Sequence, residues 1–223
     1  MYLTRMPLNA ARRQSKFLLA SPQAMHAAVL AAFPPGSTPD REQEGGRVLW
    51  RVDFQHPHVY LYIVSPSEPS LEHLVEQAGW PGKSGWESVD YDYRLSRLAE
   101  GEVLAFRLTA NPVKQSRDPQ LAGKRLPHVT ADQQRDWLIQ RAEAHGFRVP
   151  LGVDGQPDVL VSRRSRHEFR RGDSMVTLAT AQFDGRLEIS DAAVFRRTLT
   201  HGLGRAKGYG CGLMTIAGVH GRE

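Results

Sequence analysis

The sequence predicts an α+β protein made of two tandem ferredoxin-like (βαββαβ) units, and three observations predict it. In the first half a strand, a capped helix and two adjacent strands follow in the order of a split βαβ. In the second half a helix, several strands, a further helix and a final strand repeat that logic. The chain also has the mass for it: 223 residues, 40% of them apolar, suffice for two cores of roughly 100 residues each. No sequence repeat joins the halves, so the duplication rests on element order alone.

Taken in order, Tyr2 to Leu8 reads as the opening strand. Ser21 and Pro22 supply the N-cap and first helical position of SPQAMHAAVLAAF, whose buried stripe is Met25, Val29, Ala32 and Phe33. Pro34, Pro35 and Gly36 stop it. RVLWRVDF and HVYLYIVS, separated by Gln55 to Pro57, read as a hairpin. Residues 66 to 100 mix Pro, Gly and Trp with short apolar pieces, so any helix there is short or irregular. EVLAFRLTA, residues 102–110, is expected to close the first unit, giving an N-terminal domain over 1–112.

A basic, proline-containing connector over 113–128 then leads to a C-terminal domain over 129–223. Its first helix, TADQQRDWLIQRAEAHG, has Thr130 as N-cap and Gly146 as stop, with Trp137 in the core. DVLVSRR, HEFRR and SMVTLATAQF follow as strands, and Asp184-Gly185 before RLEIS reads as a tight turn flanked by Phe183 and Arg186. Asp191 caps DAAVFRRTLTH, Gly202 ends it in the left-handed conformation, and CGLMTIAGV is the last strand.

Charge and cysteine usage narrow the function classes. Lys and Arg number 29 against 24 Asp and Glu, and Arg163, Arg164, Arg166, Arg170 and Arg171 fall within nine residues. Such clustering suits a polyanionic partner. Cys211 is the only cysteine, which excludes an internal disulfide or a multi-cysteine zinc site and fits a reducing cytoplasm. The N-terminus lacks an apolar signal core, and no stretch reaches the roughly 20 apolar residues of a membrane span, so no membrane partner is expected.

The stretch HGLGRAKGYGCGLMTIA, residues 201–217, interleaves Gly202, Gly204, Gly208, Gly210 and Gly212 with Arg205 and Lys207. It is neither GxxxxGK[ST] nor GxGxxG, since Lys207 breaks the second pattern. What remains is a loop whose glycines admit close backbone approach, with N–H groups and two cations available to the phosphates of a polymer. A plain helix-to-strand turn is the competing account.

This ending, together with LAFRLTANPVK (104–114), MYLTRMPLN and SPQAMHAAVLAAFP, resembles the CasE family, the repeat-processing endoribonucleases of the type I-E CRISPR system. The likeness runs over nearly the whole chain, with its landmarks in the family's order. It implies two ferredoxin-like domains of the RAMP type, a CRISPR repeat RNA hairpin as substrate, and partnership with the other Cascade subunits.

Cutting RNA without a metal needs a group that moves the 2′-hydroxyl proton and groups that hold the phosphate. Among nine histidines, His26 stands out on an otherwise apolar helix, flanking the Met25–Val29–Phe33 stripe. From the residues alone, a helical histidine of this kind suits a structural role better than a catalytic one. The resemblance matches it to the family's catalytic histidine and implies proton transfer during 2′-hydroxyl attack, leaving a 2′,3′-cyclic phosphate. Some relatives carry a tyrosine three residues earlier, where this chain has Gln23, an amide unable to act as acid or base. Tyr2, Tyr209 and Lys207 are the alternatives for a second contact.

RNA-binding residues are expected at Arg163, Arg164, Arg166, Arg170 and Arg171 on a hairpin arm turning at Gly172-Asp173, and at Gly202, Gly204, Arg205, Lys207, Gly208 and Gly210. Arg12, Arg13 and Lys16 add to the field or form an exposed loop. His56-Pro57-His58 is a hairpin loop rather than half a metal site, and no cofactor or metal is expected. The leading expectation is a metal-independent endoribonuclease that retains its product; a non-catalytic RAMP-type RNA-binding subunit is the rival, and a module for a small anionic ligand is the third.

Overall fold

The computed structural model describes residues 1–35, 46–82, 85–116, 118–121, 123–171 and 174–219. The chain forms two compact units, one of Met1–Arg97, Leu199–Gly202 and Lys207–Leu213, the other of Leu98–Thr198, Leu203–Ala206 and Met214–Glu223. Both are α+β with antiparallel sheets, as the element order predicted.

The first unit runs β1 (Tyr2–Leu8), α1 (Arg13–Ala20), α2 (Pro22–Leu30), β2 (Leu49–Gln55), β3 (His58–Ser65), α3 (Glu72–Ala78), β4 (Glu87–Asp90) and α4 (Asp92–Leu95). Its sheet has the order β2-β3-β1-β4, the ferredoxin-like arrangement. Alternation along β1 and β3 turns Met6, Leu8, Leu61 and Ile63 to one face, where they meet Leu18, Met25, Val29 and Leu74 from the helices. The Ser21 hydroxyl accepts from Ala24 N–H and Pro22 occupies the first turn, so α2 starts where its cap predicts.

Polar residues have their own place on β2. Arg51 and Asp53, two apart and therefore on one face, are 1% and 2% exposed. They bond in two places, at 2.6 and 2.9 Å. Arg51 Nη1 also donates to the Leu213 carbonyl at 2.9 Å, so a buried guanidinium pins the end of the glycine-rich stretch to this strand.

The second unit contains β5 (Val103–Ala110), β6 (Val113–Gln115), β7 (Arg125–Pro127), α5 (Ala131–Ala142), β8 (Phe147–Arg148), β9 (Val159–Arg171), β10 (Ser174–Ile189), α6 (Ala192–His201) and β11 (Met214–Gly218). The last turn of α6, from Leu199, groups with the first unit. β11-β5-β10 run side by side and β9 pairs with β10, which again gives the order of a split βαβ. Residues 102–110 therefore open this second sheet instead of closing the first, whose fourth strand is the short β4 inside the region the sequence left ambiguous. β4 is brief and largely exposed, with little apolar alternation to announce it.

A second correction concerns Asp184-Gly185. Both lie within the sixteen-residue strand β10, not at a turn. Asp184 pairs in register with Arg107 of β5 and takes a hydrogen bond from its guanidinium, while Gly185 gives room to the backbone of Asp158 and Val159. β9 is likewise a single strand of thirteen residues where two were expected. The Thr130 and Asp191 caps and the Gly146 stop are as read, Thr130 forming a capping box with Gln133 and Gly146 being left-handed, and Trp137 is 3% exposed, stacked on Phe183. Among the described residues no helix is long and apolar enough to cross a membrane.

Candidate functional site

His26 lies on α2 between the buried Met25 and the half-buried Ala28, at the edge of the core. Its ring is held from two sides. From β2, the indole of Trp50 donates its Nε1–H to His26 Nδ1 at 3.4 Å. From the C-terminal stretch, the 3₁₀ turn Lys207–Tyr209 packs on α2, and a Cβ built on Gly208 would stand 3.2 Å from Nε2 and 3.4 Å from Cε1. A side chain at Gly208 would thus press on the imidazole, while the backbone of Gly208 is outside the left-handed region.

Gly210 does the same for Trp50 and has a positive φ of 77° besides; a Cβ there would be 2.7 Å from Cζ3 of the indole. Gly202, φ 77°, ends α6 against Leu49, with a Cβ contact of 2.8 Å. In the second unit Gly204, φ 85°, lies on the Trp137 ring, and Arg205 beside it is exposed. The glycine stretch therefore brings Gly208 to His26 and Gly210 to Trp50, with Lys207 on the same turn as Gly208, while Gly204 and Arg205 group with the second unit. Cys211 is fully buried, which pushes its thiol up to about 12 and leaves it an inert core group.

Gln23 is exposed on α2. Arg13 and Lys16 lie on the helix α1, so the exposed-loop alternative does not hold for them. His56 and His58 flank the β2–β3 turn as expected. Among the described residues no three His, Cys, Asp or Glu side chains gather to hold a metal ion.

Arg163, Arg164, Arg166, Arg170 and Arg171 all fall on β9. Opposite Ala181 the register slips, so Arg163 and Arg164 form a bulge, with Arg163 at φ 42°. Arg164 donates to the Val129 carbonyl just before α5. Arg166 is bound by Glu168 on the same face at 2.7 Å, an exposed pair of small energetic value. Arg170 and Arg171 close the strand, and the Gly172-Asp173 turn lies outside the described residues.

Two features escaped the sequence reading. The first is Trp50, one apolar residue among several in LWRVDF until the fold sets it beside His26; its only signal was that a buried indole N–H wants an acceptor. The second is the paired ribbon β6–β7, which carries Lys114, Lys124 and Arg125 exposed near its ends. His128 follows it, and its imidazole is held below the ordinary histidine range by burial and then by Lys114 and Arg141, with Asp136 opposing.

Comparison with known proteins gives these arrangements a context. The model of a family described as CRISPR associated protein matches residues 1–218. The chain is 29% identical over 230 residues to the CRISPR-associated endoribonuclease Cse3 of Thermus thermophilus, covering 97% of this chain and 100% of that protein. It is 35% identical over 194 residues to the Cascade subunit CasE of Escherichia coli K12, covering 75% and 94%. Thermus thermophilus Cse3 bound to an RNA representing a pre-cleavage complex superposes with a TM-score of 0.77 at 30% identity, over 97% of this chain and 98% of that one. The match spans both units and every element around His26, so this chain belongs to the CRISPR-associated protein family that contains Cse3 and CasE.

Proposed function

We propose that the protein is an endoribonuclease that binds the hairpin of a CRISPR repeat, cuts the precursor RNA at the 3′ base of the stem without a metal ion, and keeps the product as a subunit of Cascade. The observation that carries this reading is the placement of the His26 imidazole, fixed by Trp50 and edged by the Lys207–Tyr209 turn. A histidine oriented by a hydrogen bond against a glycine backbone, with Lys207 on the same turn, suits a phosphate undergoing displacement. Support also comes from Cse3, whose name states endoribonuclease activity and whose RNA complex has the same fold, and from CasE, named as a Cascade subunit.

The chemistry is an in-line transfer within the RNA. The 2′-hydroxyl oxygen bonds to the adjacent phosphorus and loses its proton, the bond from phosphorus to the 5′-oxygen breaks, and that oxygen takes up a proton. The products are a 2′,3′-cyclic phosphate and a 5′-hydroxyl. His26 takes part in the proton movement at the cut, and Lys207 lies on the same turn as Gly208, suited to the developing phosphate charge. The arm of β9, with Arg163, Arg164, Arg166, Arg170 and Arg171, is assigned to the stem, where a basic ribbon meets phosphates and the helix end.

Incubating the purified protein with labelled repeat RNA in excess EDTA tests this directly. One cut at the 3′ base of the stem is expected, with a cyclic phosphate end and the upstream fragment still bound. Cleavage lost in chelator and restored by Mg²⁺ would indicate metal-assisted hydrolysis. Tight binding with no cleavage under any condition would leave the non-catalytic RNA-binding subunit as the better reading.

A further inference from the structure

We propose that Trp50 is a positioning residue for His26: its indole N–H, donated to Nδ1, holds the neutral imidazole in the Nε2–H tautomer, so that the nitrogen at Gly208 meets the RNA as a hydrogen donor. The proposal rests on the reading of His26 as a catalytic group and assigns the form in which it works.

An indole nitrogen only donates. Its hydrogen bond to Nδ1, 3.4 Å long, therefore occupies the lone pair of that nitrogen, and the single proton of a neutral imidazole sits on Nε2. The geometry resists the alternative of turning the ring. Trp50 is 3% exposed within the core of the first unit, Gly210 lies against its six-membered ring, and Gly208 lies against the Nε2 edge of the histidine. One loop thus seats both rings with two glycines, each of which has the ring as its nearest neighbour.

Two consequences follow. Accepting a 2′-hydroxyl proton at Nε2 requires the other tautomer, which gives up the Trp50 bond and sets two N–H groups against each other. A hydrogen bond donated from Nε2 to a phosphate or leaving oxygen keeps it, whereas full transfer of that proton to the leaving oxygen starts from the doubly protonated ring. Protonation of the ring meets the same conflict at Nδ1, so Trp50 also lowers the affinity of His26 for a second proton. The ionisable groups on the elements packed against α2 are Arg13 and Lys16 on α1, Lys207 and Tyr209 on the 3₁₀ turn, and Glu72, His73 and Glu76 on α3, where His73 bonds the Ala28 carbonyl at 2.9 Å. On β2, Arg51 and Asp53 bind one another. All of these stay in place when only the indole N–H is removed.

Two replacements remove it: Trp50→Phe, and a 3-benzothienylalanine at position 50, in which sulfur stands where the N–H was and the ring shape is kept. The readouts are ¹⁵N NMR of the histidines in the full chain and the pH profile of single-turnover cleavage. In the unsubstituted protein neutral His26 is expected to carry its proton on Nε2. In both variants the His26 midpoint should rise by about half to one pH unit, as loss of one hydrogen bond to the neutral form requires. The inflection in the cleavage profile should rise with it. The rate at saturating protein should fall by about tenfold while the Kd for RNA stays within a few-fold.

The proposal is overturned if neutral His26 carries its proton on Nδ1, or if the benzothienyl variant leaves the midpoint and the profile where they were. A purely structural Trp50 would lower the melting temperature without moving either. Should Trp50→Phe fail to fold, the isosteric variant and the tautomer of the unsubstituted protein still decide the matter. An active His26→Ala protein would instead remove the catalytic reading, and the tautomer measurement would stand apart from that outcome.

Discussion

Replacing His26 by alanine is expected to slow single-turnover cleavage of the repeat hairpin by roughly 10²-fold or more, the scale on which a lost proton-transfer group acts. Affinity for the RNA should change by no more than a few-fold, since the arm on β9 and the loop cations remain. The substitution also takes the acceptor from the Trp50 indole, which is nearly buried. A stability loss of about 1 kcal/mol is therefore expected, a shift of a few degrees in melting temperature for a chain of this size. The two effects separate easily, because a protein weakened by that amount is still almost wholly folded at 25 °C. An alanine variant that cuts at the full rate would remove His26 from the chemistry.

Gly208→Ala should give the next largest loss. Its φ is not in the left-handed region, so the backbone accepts alanine, unlike Gly204 and Gly210 at φ 85° and 77°. The new methyl would instead press on the imidazole from 3.2 Å, which the ring relieves by moving a few tenths of an ångström or by turning off the Trp50 hydrogen bond. Misplacement of a reacting group on that scale costs about tenfold in rate. We expect that loss with a melting temperature within about 2 °C of the parent, whereas Gly210→Ala should lose stability outright through its φ and the Trp50 contact. Paired thermal melts, binding isotherms and single-turnover rates check this. Loss of RNA affinity with the rate at saturation intact would mean that Gly208 serves backbone approach to the RNA, as the sequence alone suggested. Activity falling only in step with folded protein would make the loop a plain turn.

The comparison of these glycines shows where sequence reading succeeds. A glycine that ends a helix, such as Gly202 after α6 or Gly146 after α5, follows from local rules, because the left-handed conformation is a property of a few residues in a row. The caps at Ser21, Thr130 and Asp191 and the pairing of β2 with β3 were legible for the same reason. Gly208 and Gly185 were not, since each is glycine on account of a distant partner, the His26 ring in one case and the Asp158 backbone in the other. Asp184-Gly185 even imitates a hairpin turn, and only the Arg107 side chain on the neighbouring strand reveals it as part of a long strand.

The site divides in the same way. His26 was visible as an odd residue on an apolar helix, and its proposed role comes from the family likeness. Trp50 was invisible, because a hydrogen bond spanning 24 residues leaves no pattern in a strand that is apolar for packing reasons. The arginines of β9 were legible as a cluster, yet their division was not: Arg164 is drawn to the Val129 carbonyl and Arg166 to Glu168, and a bulge re-aims Arg163. The strand assignment near residue 100 failed because β5 is a strong strand and β4 a weak one, and strength of pattern does not say which sheet a strand joins.

In the proposed reaction the RNA cuts itself through its own 2′-hydroxyl while His26 handles a proton. It is tested most directly with a repeat hairpin carrying one 2′-deoxyribose, at the nucleotide 5′ of the cut, compared with the all-ribose hairpin in chelator. Equal binding of the two is expected, with full cleavage of the ribose hairpin and none of the deoxy one. Cleavage of the deoxy substrate at the same position would contradict it, since the attacking oxygen would then come from water.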